Sequence, residues 1–433
     1  MVHDNDGKLG LWMTLCLSIG GMIGAGIFML PVALAPFGAN AVAGWLVSSA
    51  GALCIAFALS RLTRSGSAEG IQAYIERAFG PTIGYLVAWS CWCSVWAANA
   101  AVAIAAASAT SSVFPVLAHP VSVALTAMAF IAFLTVVNAL GARSAGGMAI
   151  LTVAIKVLPL FAVVVIMFMH GIAGQSFQPF APAPLSLGNI ASTAALTFFA
   201  ISGFETALFP VDKVRNPQRT LPIAVLVGTA IVAAIYLFSS TAVLLLLPAN
   251  VVASSPAPFA DTVAAQWGKG AATFAAFGMA VSAFGCLNGG ILIAGELAYS
   301  MALRKDLPRF LAATRGRATP VAAQVFSSLI VVILVGLNTT RTTSGLFTFV
   351  ILLSASSILF LYLFGLLAAM KAKPSPAANA AFIVGLTFLG FAFYGSGFEA
   401  DAWSVVLLGM GIVVRAIMRR LARRPVLSTS GAP

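Results

Sequence analysis

Charge is what this chain has least of. Only 8% of its 433 residues are Asp, Glu, Lys or Arg, against 61% apolar residues, whereas a soluble domain carries roughly one quarter charged residues. A soluble globule of this size is excluded. Histidine is scarce too: His3 stands in the N-terminal tail and His119 and His170 at the ends of apolar runs, with no His-Glu-x-x-His pattern to hold a catalytic metal. There is no Gly-x-x-x-x-Gly-Lys-Ser/Thr loop, which argues against ATP drive from this chain. Cys16, Cys54, Cys91, Cys93 and Cys286 all fall inside apolar runs, fitting neither a secreted disulfide framework nor a zinc site. They read as small core residues. With no catalytic set and no polar ring or carbonyl filter in evidence, an intramembrane enzyme and a channel are both disfavoured. No cofactor or metal is expected.

What is abundant is apolar length. Runs of about 20 residues recur, each long enough to cross a hydrocarbon core about 30 Å thick as a helix rising 1.5 Å per residue. The expected fold class is an all-α polytopic membrane protein. Twelve spans fall near 11–36, 40–60, 79–113, 120–141, 147–171, 188–209, 221–247, 270–303, 320–338, 344–370, 380–396 and 400–419, with polar punctuation between them. Only ten residues, with Asp4, Asp6 and Lys8, precede the first run, and the run lacks a small-residue cleavage site, so no removable signal peptide is expected. The chain reads as one transmembrane domain over 1–433.

The formal charge is +12, but nucleic-acid readers need basic residues grouped on a soluble face, and here they sit between apolar runs. With the N-terminus cytoplasmic, both termini and the even-numbered connections hold every Lys and Arg except Lys156, Lys269 and Arg341. That is the asymmetry of the positive-inside rule. The expectation is an inner-membrane protein with both termini in the cytoplasm. The basic tail after Ile417 either meets anionic lipid headgroups or serves as a topology signal alone.

Two spans carry interruptions. The first reads Gly20-Gly21-Met22-Ile23-Gly24-Ala25-Gly26-Ile27-Phe28, followed by Pro31, and the sixth reads Phe198-Phe199-Ala200-Ile201-Ser202-Gly203-Phe204-Glu205. Unwound backbone at membrane depth is tolerated only where protein or a watery cavity satisfies it. Breaks in spans one and six are what a five-plus-five inverted repeat produces, here about 11–171 and 188–370, with two extra helices at about 380–419. In such a site the positive end of one half-helix receives an anionic group and freed carbonyls receive an ammonium. The ligand class is a zwitterion or a cation.

The first interruption, the segment Tyr74-Ile75-Glu76-Arg77-Ala78-Phe79-Gly80-Pro81, and Gly203-Phe204-Glu205 with Val214-Arg215-Asn216-Pro217-Gln218-Arg219-Thr220-Leu221-Pro222 resemble the amino acid/polyamine/organocation (APC) transporters. Pro256-Ala257-Pro258-Phe259, the run Gly285 to Gly295, and Asp306-Leu307-Pro308 are most similar to the basic amino acid/polyamine antiporters of arginine/agmatine type. The resemblance covers essentially the whole chain. It implies a LeuT-like fold, a homodimer, and a small-molecule substrate, an amino acid or amine, held between spans one, three, six, eight and ten.

It also implies a substrate site. The substrate carboxylate would meet backbone N–H groups around Ala25 and Gly26, and its amine carbonyls near Met22, Phe199 and Ser202, with Ile23 and Ile201 beside them. Ser94, Val95, Asn99, Gly290 and Ser354 would complete the pocket. Asn99 either contacts a polar substrate side chain or joins helices. The chain departs from the antiporter pattern at Ala25 for a serine, Phe199 and Gly290 for tryptophans, and Cys91 for a tyrosine. Gly290 removes one wall of a guanidinium sandwich and frees space for a bulkier or more apolar side chain.

Two charges lie inside spans. Glu205 costs about 2.5–3.5 kcal/mol to insert on translocon scales, so it should face a cavity or a partner. It is suited to hold a substrate ammonium, to sense protons, or to form a structural hydrogen bond. Lys156 lies about ten positions into its span, and acts as a proton-coupling or structural cation, or snorkels to the surface. In APC relatives a lysine here resembles the cation that replaces sodium. Trp89, Trp92, Trp96 and Phe199 read as gates or lipid-facing aromatics. The functional expectation is a secondary carrier working by alternating access, an exchanger, or alternatively a proton-coupled symporter or exporter of neutral amino acids.

Overall fold

The computed structural model describes residues 10–24, 26–62, 71–140, 146–205, 214–314, 320–372 and 374–422. Ala25 and the basic tail beyond residue 422 lie outside the described residues. Those described are helical, with no strand among them. The elements are α1 (Leu11–Met22), α2 (Gly26–Leu34), α3 (Asn40–Leu62), α4 (Ile71–Phe79), α5 (Pro81–Val113), α6 (Pro120–Ala139) and α7 (Gly146–Ile172). They continue as α8 (Leu187–Ile201), α9 (Pro217–Leu246), α10 (Ala249–Ser254), α11 (Pro258–Leu303), α12 (Val321–Leu337), α13 (Thr343–Lys371) and α14 (Pro376–Ala422). Among the described residues 7 helices are long and apolar enough to cross a membrane, or 8 if the bent pair α1 and α2 is one span. The protein is a multi-pass membrane protein.

Local chemistry sets the helix ends. Proline opens α5, α6 and α9, where its missing N–H costs nothing. The Ser186 hydroxyl accepts from the Asn189 N–H at 3.1 Å and caps α8, and Thr342 does the same for α13 from the Gly345 N–H at 3.1 Å. The two longest helices turn corners at glycine: α11 at Gly268 (φ 83°, ψ 173°) and α14 at Gly397 (φ 81°, ψ 154°). Only glycine enters that region without strain. Both corners fall where the apolar runs of the sequence are separated.

Two short helices lie outside the sequence-based spans. In α4, Ile71, Tyr74 and Ile75 are buried and Glu76 and Arg77 stand at the rim. Lys371 at the end of α13 holds this helix, donating to the Ala78 carbonyl at 2.9 Å. The other is α10, a single short turn of helix. The centre of the molecule is α5, whose buried face is rich in alanine and packs against α11 and α13. Small residues let membrane helices approach closely, since lipid tails offer no hydrophobic drive for association. The same logic joins α3 to α8: a Cβ on Gly44 would stand 2.7 Å from the Thr193 backbone, and Thr197 Oγ1 donates to Ser48 Oγ at 2.8 Å.

Candidate functional site

The first interruption is a real break. α1 stops at Met22, Ile23 leaves the helical region at φ −73° and ψ 86°, and α2 resumes at Gly26 with its axis bent 46° from that of α1. Breaking the ladder frees carbonyls, and one is met by a distant side chain: Tyr236 of α9 donates its hydroxyl to the Met22 carbonyl at 3.1 Å. In the second interruption α8 ends at Ile201, the Ser202 hydroxyl donates to the Phe199 carbonyl at 2.6 Å, and Gly203 takes φ +113°. The breaks touch, since a Cβ on Gly203 would lie 3.2 Å from the Gly21 carbonyl oxygen. The Met22 carbonyl also accepts from the Gly24 N–H at 2.8 Å, so a ligand cation there would compete with these two donors, whereas the Phe199 carbonyl has a second lone pair to offer.

Glu205 sits directly after this turn and is buried. Its Oε2 accepts from the Gly203 N–H at 3.0 Å and from the Tyr362 hydroxyl at 2.7 Å. Tyr362, from α13, is itself clamped by stacking on Phe204 at 5.3 Å and by an edge contact with Phe198 at 5.5 Å. Sequence reasoning passed over Tyr362 and Tyr236. Their signal was a tyrosine hydroxyl at membrane depth, which needs a partner when buried.

Between the breaks lies a cavity of about 280 Å³. Met22 and Gly26 reach it from the first break, and Phe199, Ser202 and Glu205 from the second. α5 contributes Ser94, Val95 and Asn99, α11 contributes Gly290, and α13 contributes Ser354. Lys156 comes from α7, buried rather than reaching for the surface. Glu205 and Lys156 are the charged side chains lining the cavity, and Lys156 has no hydrogen-bond or ion-pair partner among the described residues. Ile23 and Ile201 are not among the lining residues; both are fully buried in the surrounding core.

Three contacts shape the cavity. The Phe199 ring covers Gly26, leaving 2.8 Å between its Cε1 and the place of a Cβ there. Ser94 and Ser354 bond each other at 2.9 Å, with Ser354 also donating to the Ser94 carbonyl, which ties α5 to α13. The Asn99 amide leans over Gly290: a Cβ on that glycine would stand 1.9 Å from Asn99 Oδ1. The room expected from Gly290 is therefore partly taken by Asn99, whose buried Nδ2 has no hydrogen-bond partner among the described residues. A buried unpaired amide is costly, and a ligand acceptor would relieve it.

The tryptophans do not face lipid. Trp89, Trp92 and Trp96 are all buried, with Trp92 and Trp96 in edge contact at 4.5 Å. Trp89 Nε1 donates to the Leu407 carbonyl at 2.7 Å and Trp92 Nε1 to Ser327 Oγ at 3.0 Å. They pack α5 against α12 and α14, away from the cavity.

Comparison with known proteins agrees with this architecture. The family model described as "Amino acid permease" matches residues 9–417. The putrescine transporter PotE of Escherichia coli (strain K12) is 27% identical over 427 residues, covering 95% of this chain and 96% of the relative. The PotE of Haemophilus influenzae is 26% identical over 414 residues, 93% of this chain and 95% of the relative. The cadaverine/lysine antiporter of Escherichia coli (strain K12) is 28% identical over 282 residues, 65% of this chain and 63% of the relative. These relatives are membrane transporters, not enzymes.

Proposed function

The chain belongs to the amino acid permease family, and from that premise we propose a secondary carrier of the inner membrane that exchanges amino acids or related amines by alternating access. The observation that carries this reading is the meeting of two helix breaks on one central cavity. Twelve spans in a five-plus-five inverted repeat, with the two halves of α14 outside it, account for breaks in the first and sixth spans.

In this reading the N-terminal end of α2 at Gly26 presents N–H groups and positive dipole to a substrate carboxylate. The carbonyls of Met22 and Phe199 and the Glu205 carboxylate receive the ammonium. Phe199 offers a ring face to a cation, and Asn99 meets the far end of the substrate. Charge favours an amino acid over a diamine. The cavity is lined by one carboxylate and one ammonium, so a zwitterion leaves the balance unchanged, whereas a diamine places two cations beside Lys156 with one acid to receive them. Its volume lies near the small end of the range for ligand sites, roughly 300–1,000 Å³.

A second reading, proton-coupled symport of neutral amino acids, is favoured by Lys156, a cavity cation without an acidic partner among the described residues. Counterflow in proteoliposomes separates the two. An exchanger preloaded with unlabelled amino acid accelerates uptake of labelled substrate in the absence of a pH gradient. Uptake that requires an imposed proton gradient and ignores internal substrate points to symport. Flux unaffected by internal substrate or proton gradient contradicts both.

A further inference from the structure

Two sequence segments that mark the family, Glu76-Arg77 through Pro81 and Asp306-Leu307-Pro308, play no part in the central cavity. They meet at a second one, of about 880 Å³, where α5 begins, α11 ends and the last turns of α14 pass. Helix ends place it at the membrane–water boundary. It lies on the face to which the sequence assigns the excess of basic residues.

The cavity is built around a buried guanidinium. Arg415 of α14 is 5% exposed, its Nε donates to Asp306 Oδ1 at 3.1 Å, its Nη2 donates to the Pro81 carbonyl at 2.6 Å, and the Tyr85 ring lies 4.9 Å below it. Asp306 is presented by the turn that closes α11, where Lys305 takes φ +63° and the Asp306 N–H returns to the Met301 carbonyl at 3.0 Å. Arg415 Nη1 is buried and has no acceptor among the described residues. Charge-assisted hydrogen bonds left unmade in a desolvated site are costly, so this nitrogen calls for an oxygen that the described residues do not supply.

Around it stand Arg419, half exposed and 4.0 Å from Asp306, and Arg304, half exposed and bonded to Glu76 Oε2 at 2.7 Å. Among the described residues three arginines, Arg304, Arg415 and Arg419, face two carboxylates, Glu76 and Asp306. The excess is positive, borne by guanidinium groups whose planar forks match phosphate oxygens. Basic pockets between helix ends on this side of a membrane suit anionic headgroups.

We propose that this cavity binds a phosphate-bearing anion, from an anionic lipid headgroup or a small soluble phosphate. The anion supplies the acceptor missing at Arg415 and bridges α4, the turn after α11 and the end of α14.

The test is native mass spectrometry of the full chain in detergent, with added palmitoyl-oleoyl phosphatidylglycerol, the matching phosphatidylcholine, or inorganic phosphate. Phosphatidylglycerol should add one tightly retained molecule at concentrations where phosphatidylcholine does not. Arg419→Gln with Arg304→Gln, both at the exposed rim, should raise the half-saturating concentration about tenfold; Arg415→Gln should abolish retention if it folds, and the rim variant decides the matter if it does not. Displacement of the lipid by inorganic phosphate assigns the site to a soluble anion, and failure to displace it assigns the headgroup. Equal retention of the two lipids with no retained inorganic phosphate, or unchanged retention in the rim variant, overturns the proposal.

Discussion

At Glu205 a single carboxylate oxygen takes both a backbone N–H and the Tyr362 hydroxyl, so the side chain is aimed by two helices at once. Glu205→Gln keeps the shape and removes the charge. Transport by this variant should be lost or become independent of pH while the unfolding temperature stays near wild type; a preserved pH profile would remove Glu205 from the transport cycle. Lys156→Ala takes away the other cavity charge, and proton movement per substrate, followed with a pH-sensitive dye in proteoliposomes, should fall to background. Proton flux equal to wild type contradicts a coupling role. At Gly290 the first obstacle to a methyl group is the end of the Asn99 side chain, not backbone. Gly290→Ala should therefore swing Asn99 aside at little cost in stability and change the ranking of competing amino acids in counterflow; an unchanged ranking would mean that Asn99 does not touch substrate.

At the scale of elements, close approach is the main device. Gly44 of α3 faces the Thr193 backbone of α8, and a main chain cannot swing away as a side chain can. Overpacking costs about 1–3 kcal/mol, so Gly44→Ala should lower the apparent melting temperature by several degrees. Gly409 has nothing within 4 Å of an added Cβ, and Gly409→Ala in α14 should leave that temperature within error. Equal effects at the two sites would show that the α3–α8 contact is looser than described. Helix limits were largely legible beforehand because hydropathy and prolines are local: α5, α6 and α12 lie close to the runs at 79–113, 120–141 and 320–338. α4 and α10 were not, since a one-sided apolar stripe on a short polar segment resembles an ordinary loop until a neighbour covers it.

At the scale of the whole molecule, the asymmetric placement of Lys and Arg predicts a single orientation. Phosphatase fusions at either terminus should be inactive and fluorescent-protein fusions bright, as expected for two cytoplasmic ends; an active phosphatase at one end would require an odd number of spans. The central cavity and the arginine-rich one are both products of packing between elements far apart in the chain, Tyr362 with Glu205 in one and Arg415 with Asp306 in the other.

From the order of its residues alone, this protein was bound to be a membrane-embedded helical bundle with backbone interruptions somewhere within 20–28 and 198–205, because apolar length and glycine clustering act on the segment that contains them. The folded chain alone decided that Tyr362 holds Glu205, that Asn99 occupies the space above Gly290, and that Arg415 is buried one acceptor short. Those facts depend on which helix faces sit against which, and packing between distant segments leaves no periodic trace in either of them.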